Sequence, residues 1–283
     1  MSYVSKVGQA KRKRVPENDL PPQFEIRGQL LQFRNGKAWE PPPIKQKGQT
    51  IKHFSDAARL RLTKTLLTVD FKRTAVSVFI TLTYPDKLIP RDMYDRAKDL
   101  SQFLRKIETH LGRKVYGVWR IEWEQRKSGE HKGNIAPHFH LCLFGVVFIH
   151  YRLINVWWRR IIKYSRAVRT EIKRARKTRT TLSYLAKYIK KKGEASLVYA
   201  PNYNSMDGKH YGYVRPRSIP RCPVEWIVEP SQEQMEYAFR THHQLWERSD
   251  TRPGESFSIM GAAVENIGKI LKQMALTPSP PVD

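Results

Sequence analysis

The chain has 283 residues, 40% of them hydrophobic and 11% aromatic, enough to fold and to bury a sizeable core. It carries 52 Lys+Arg against 26 Asp+Glu, a formal net charge of +26. A field of that sign selects polyanions, nucleic acid before a membrane surface, because no basic helix with a dominant apolar stripe stands out. No apolar run approaches the roughly 18 residues of a membrane span and the first residues have no apolar leader pattern. Two cysteines, Cys142 and Cys222, make no disulfide framework, and Cys142 inside an apolar run reads as core. A reducing, intracellular setting is the expectation.

Residues 1–48 are polar, basic and broken by prolines, with Lys11-Arg12-Lys13-Arg14 and Pro41-Pro42-Pro43. They read as an extended basic N-terminal arm holding one short strand near 24–33. Ser55 caps a helix running to about residue 67, with Ala58, Leu62 and Leu66 at helical spacing. Residues 76–84 alternate as a strand, with Val78, Ile80 and Leu82 on one face and Phe79, Thr81 and Thr83 on the other. Residues 91–111 return to a helical period, and 115–123 read as a strand with Arg120, Glu122 and Glu124 on one face.

A polar loop with Gly129 and Gly133 leads to Pro137-His138-Phe139-His140 and the apolar Leu141-Cys142-Leu143-Phe144. On a strand, His138 and His140 share one face. An antiparallel pairing across that loop places Glu122 or Glu124 beside them. A lone His-x-His is more often an ordinary strand end than a metal site, so the pair gains weight only from partners elsewhere in the chain.

Residues 151–162 read as a helix. From 159 to 192 there are fourteen Lys/Arg and one acid, Glu171. Arg159, Arg160, Lys163, Arg166, Arg169, Lys173, Arg174, Arg176, Lys177 and Arg179 are candidate DNA contacts. Trp157, Trp158 and Tyr164 are available for base stacking, with the alternative that at least one tryptophan is core. Residues 178–192 read as a helix, on which Tyr184 and Tyr188 lie one turn apart, each followed by lysine, Lys187 and Lys191. Strand 224–228 and helix 233–248 come next, then a Pro/Ser tail. The boundaries expected are 1–48 arm, 49–230 main domain, 231–276 C-terminal helical extension and 277–283 tail. There is no internal repeat and no glycine-rich phosphate loop, so no nucleotide cofactor is expected.

Two imidazoles, an acid and a pair of phenols form a coherent chemistry. A phenol with an ordinary pKa near 10 is a poor nucleophile at neutral pH. A divalent cation held by His138, His140 and one carboxylate polarises a phosphodiester, and the lysines neutralise charge. These parts resemble the HUH endonucleases that initiate rolling-circle replication. Phe79-Ile80-Thr81-Leu82-Thr83-Tyr84 is similar to their first motif, Pro137-His138-Phe139-His140 to the metal-binding second, and residues 184–191 to the third in its two-tyrosine form. Residues 55–62 and 208–213 also resemble segments flanking those motifs in plasmid and phage Rep proteins, so the likeness spans about 51–220.

The resemblance implies an α+β fold with a five-stranded antiparallel sheet, the histidines on its central strand and the tyrosine helix packed on that face. It implies Mg2+ or Mn2+, with Glu122 the first choice of third ligand and Glu124 the second. It also implies origin DNA, single-stranded or nicked, as substrate, a 5′-phosphotyrosine intermediate, and a host polymerase and helicase as partners. The bacterial cytoplasm is the expected location, or the host nucleus for a eukaryotic replicon. Either tyrosine could cut first. A transposase, a relaxase and a non-catalytic nucleic-acid-binding protein remain the alternatives.

Overall fold

The computed structural model describes residues 21–35, 54–74, 76–85, 93–127, 130, 132–166, 168–175, 209–245 and 256–276. The architecture is α+β, with one five-stranded and one four-stranded antiparallel sheet, and the chain divides into two units, 45–222 and 1–44 with 223–283.

In residues 45–222 the order of elements tracks the hydrophobic periods. Helix α1 (Asp56–Leu67) starts at Ser55, whose hydroxyl accepts the Ala58 N–H, and buries Ala58, Leu62 and Leu66. After a short helical turn α2 (Phe71–Thr74) comes strand β3 (Ser77–Thr83), numbered after the hairpin β1–β2 described below. Helix α3 (Met93–Leu111), strands β4 (Tyr116–Gln125) and β5 (Ile135–Phe144), helix α4 (Tyr151–Ile161), and strands β6 (Thr170–Ala175) and β7 (Tyr211–Val214) complete the unit. The strand order is β6-β3-β5-β4-β7, which puts the histidine strand β5 in the centre. Gly133, at φ 90°, lets the β4–β5 loop close through Gly133 N–H to Arg126 O at 3.0 Å.

The two faces of this sheet differ in what covers them. One face buries Val78, Ile80, Leu82, Phe139 and Leu141 against Leu100, Phe103 and Ile107 of α3 and Ile154 and Trp158 of α4. On the other, α1 packs over the Phe79, Val118, Cys142 and Phe144 end. The remaining half of that face carries the polar residues.

The second unit corrects the expectation of an extended arm. Residues 23–34 form a hairpin, β1 (Gln23–Arg27) and β2 (Leu30–Arg34), turning through Gly28 at φ 61°. It is flanked by β8 (Glu225–Val228) and β9 (Phe257–Met260) in the order β8-β1-β2-β9. Phe24, Ile26, Leu31, Phe33, Phe257 and Ile259 pack with residues of helices α5 (Gln232–Leu245) and α6 (Val264–Leu276). The expected C-terminal helical extension thus also supplies a strand, and its core needs residues from the N-terminal region. Alternating aromatic and aliphatic side chains either side of Gly28 drive the hairpin. At the start of α5 the Ser231 hydroxyl accepts the Gln234 N–H at 3.2 Å while Gln234 Oε1 accepts the Ser231 N–H at 2.7 Å, a reciprocal cap.

Candidate metal and nicking site

The register of the central strands builds the site. Thr83 pairs with His138 and His138 with Glu122, while Thr81 pairs with His140 and His140 with Arg120. Cross-strand partners share a face, so two rows run over the sheet: Thr83–His138–Glu122, and Glu171–Thr81–His140–Arg120–Tyr211.

Each imidazole lies between a hydroxyl on one neighbouring strand and a carboxylate on the other. His138 Nδ1 is 2.9 Å from Thr83 Oγ1, and its Nε2 is 3.8 Å from Glu124 Oε2. His140 Nδ1 is 3.2 Å from Thr81 Oγ1, and its Nε2 is 2.7 Å from Glu122 Oε2. The two acids differ in setting: the Glu122 side chain is 6% exposed and that of Glu124 is 51% exposed. Burial drives the His138 pKa down to about 4, the nearby Glu124 carboxylate opposing it, so the ring is neutral at physiological pH. Arg120 is buried beside His140, its guanidinium 4.6 Å from the centre of the Phe54 ring.

Two neutral imidazoles and a carboxylate on one face are donors that suit a divalent cation with open positions for oxygen ligands. Among the described residues no three His, Cys, Asp or Glu stand in a ready coordination arrangement. The Glu122 carboxylate engages the same His140 nitrogen that an ion would take, so binding requires that contact to open.

Tyr184, Tyr188, Lys187 and Lys191, and with them Arg176, Lys177 and Arg179, lie outside the described residues. The rest of the basic run is spread over several elements. Arg159 donates to Tyr164 O at 3.4 Å and to Ser165 O, closing the end of α4. Arg160, Lys163, Arg166, Arg169, Lys173 and Arg174 are exposed. Lys173, paired with Phe79, stands on the histidine face, whereas Arg174, paired with Val78, stands on the opposite one. A single groove lined by the whole run is therefore not formed by the described part. Trp157 is half-buried, its ring edge-on to His110 at 5.3 Å.

Trp158 is a correction: it is 0% exposed and its indole N–H donates to Thr83 O at 2.9 Å. Its position one turn after Ile154 places it on the buried stripe of α4, where no base can reach it. Thr81 and Thr83 gain a role that their sequence did not suggest. Their alternation was visible, but their contact with the imidazoles depends on the β3–β5 register.

No described helix is long and apolar enough to cross a membrane. No curated protein and no solved structure shows significant similarity to the chain. Residues 77–193 match the family model of the replication-associated protein ORF2, a stretch that runs from β3 through both tyrosines and supports a replication-associated protein.

Proposed function

We propose that this chain initiates rolling-circle replication by nicking one strand of origin DNA as a two-tyrosine HUH endonuclease. The observation that carries the reading is the row of His138, His140 and Glu122 centred on a five-stranded antiparallel sheet. The replication-family match, which extends through Tyr184 and Tyr188, adds to it. His138, His140 and Glu122 would hold Mg2+ or Mn2+, which supplies Lewis acidity toward the scissile phosphate.

The chain's own groups do the rest. The oxygen of Tyr184 or Tyr188 bonds to phosphorus as the P–O3′ bond breaks, and the departing 3′ oxygen takes up a proton. The products are a 5′-phosphotyrosine ester and a free 3′ hydroxyl for a host polymerase to extend. Lys187 and Lys191 offset the charge that develops on the phosphate. With no nucleotide-binding loop in the sequence, unwinding falls to a host helicase.

The test is incubation of the full chain with single-stranded origin DNA and Mn2+, resolved on a denaturing gel. A covalent adduct that disappears in the Tyr184→Phe/Tyr188→Phe double variant is expected. Absence of an adduct, or its persistence in that variant, overturns the proposal. A second reading, a non-catalytic DNA-binding protein, is favoured by the close Glu122–His140 contact, which also suits a purely structural pair. Divalent-ion titration of the DNA-free chain separates the two.

A further inference from the structure

Thr81 and Thr83 meet the two histidines with the same geometry twice. Each Oγ1 approaches the Nδ1 atom, at 3.2 Å for His140 and 2.9 Å for His138. Each Nε2 instead faces β4, toward Glu122 for His140 and toward Glu124 for His138. A neutral imidazole has one N–H and one lone pair, and whichever nitrogen keeps the proton cannot hold an ion.

We propose that Thr81 and Thr83 are positioning residues that fix the ring orientation and tautomer of His140 and His138, so that both Nε2 lone pairs are presented to a divalent cation. This rests on the metal-site reading above and adds to it the residues that make the site competent. At His138, the 3.8 Å from Nε2 to Glu124 is too long for a hydrogen bond, so the ring proton belongs on Nδ1, donated to Thr83. At His140 the 2.7 Å contact puts the proton on Nε2, donated to Glu122, and Thr81 donates to Nδ1. When an ion takes Nε2, that proton leaves to solvent, another reaches Nδ1, and Thr81 turns from donor to acceptor. The imidazole is neutral before and after. A hydroxyl serves both tautomers by a rotation of its own O–H, which a carbonyl or carboxylate cannot do. The β-branched side chain on a strand also restricts χ1, which holds the oxygen, and hence the ring, in place.

The test uses the full chain without DNA and titrates Mn2+ by calorimetry. Thr81→Val and Thr83→Val keep the branched shape and remove the hydroxyl, and each is expected to weaken Mn2+ binding by about ten- to a hundredfold, while the serine variants stay within about threefold of wild type. Nitrogen-15 spectra of the ion-free protein are expected to show the His138 proton leaving Nδ1 in Thr83→Val but not in Thr83→Ser. If a valine variant does not fold, Thr→Ala, which adds no methyl against the ring, replaces it. Valine variants that bind Mn2+ as tightly as wild type overturn the inference, as do serine variants that lose as much as the valines. If instead His138→Ala and His140→Ala bind Mn2+ like wild type, or wild type binds none, the metal-site reading itself falls and the positioning role with it.

Discussion

Trp158 decides between a surface that reads bases and a core that supports the site. Its ring meets Tyr84, Phe103 and Phe139 edge-on, with centroids at 5.0, 6.0 and 6.4 Å, and its N–H satisfies Thr83 O, the carbonyl of the residue that holds His138. Trp158→Phe removes the donor and part of the ring. Leaving a buried acceptor short of a partner costs about 1–2 kcal/mol, and the lost apolar area about 1 kcal/mol more. The expected destabilisation is therefore about 2–3 kcal/mol in urea unfolding followed by circular dichroism. Affinity for oligo(dT), measured by fluorescence anisotropy where both proteins are folded, is expected to stay within about twofold, whereas each lost base stack costs about 1–3 kcal/mol. Stability within about 0.5 kcal/mol of wild type, the range typical of a surface substitution, would refute the burial argument. So would an unmoved transition combined with a tenfold loss of DNA affinity.

Three further outcomes rest on the same geometry. Glu122→Ala is expected to weaken Mn2+ binding at least about a hundredfold and Glu124→Ala less than about tenfold, since only Glu122 is buried against an imidazole; calorimetry giving the reverse order makes Glu124 the ligand. At Gly117 an added Cβ would lie 2.0 Å from Cys142 O, part of the β5 backbone, so Gly117→Ala should force β4 from β5 and cost about 1–3 kcal/mol or more; a thermal transition equal to that of wild type contradicts it. Burial raises the Glu108 carboxyl, but hydrogen bonds from Arg215, Lys114 and the Val115 N–H outweigh it and hold the pKa below the ordinary range. The folded state then binds this proton less readily than the unfolded chain. The stability Glu108 contributes is full above about pH 4.3 and fades as the pH falls through the lower folded value. The gap between wild type and Glu108→Gln should shrink in acid, and a gap that widens there refutes the sign.

What could be read from sequence was what a short period encodes. Alternation put His138 and His140 on one face, and the β4–β5 loop was enough to place Glu122 and Glu124 beside them. The limits appear where a residue's fate depends on a distant partner. Phe24, Ile26, Leu31 and Phe33 alternate plainly, yet they lie among the basic and proline-rich residues of 1–48, and their sheet partners Ile227 and Ile259 are some two hundred residues away. Thr170–Ala175 reads as charge, with only Ile172 and Ala175 to betray an edge strand. Trp157 and Trp158 are indistinguishable by composition, and only the α4 stripe set by Ile154 separates them.

Strand β6 ends at Ala175 opposite Ser77, six residues along β3 from Thr83 and so about 20 Å from the His138 row. Strand β7 begins at Tyr211, opposite Arg120 and in the row of His140. The stretch bearing Tyr184 and Tyr188 is therefore tied to one sheet at both ends, leaving it at the remote edge and rejoining it beside the histidines. Whatever path it takes, its phenols meet a phosphate at His138 and His140 as intramolecular partners, at an effective concentration on the order of millimolar. Cutting the chain between 188 and 209 would free one anchor without altering any residue of the site, turning a doubly held nucleophile into a singly held one.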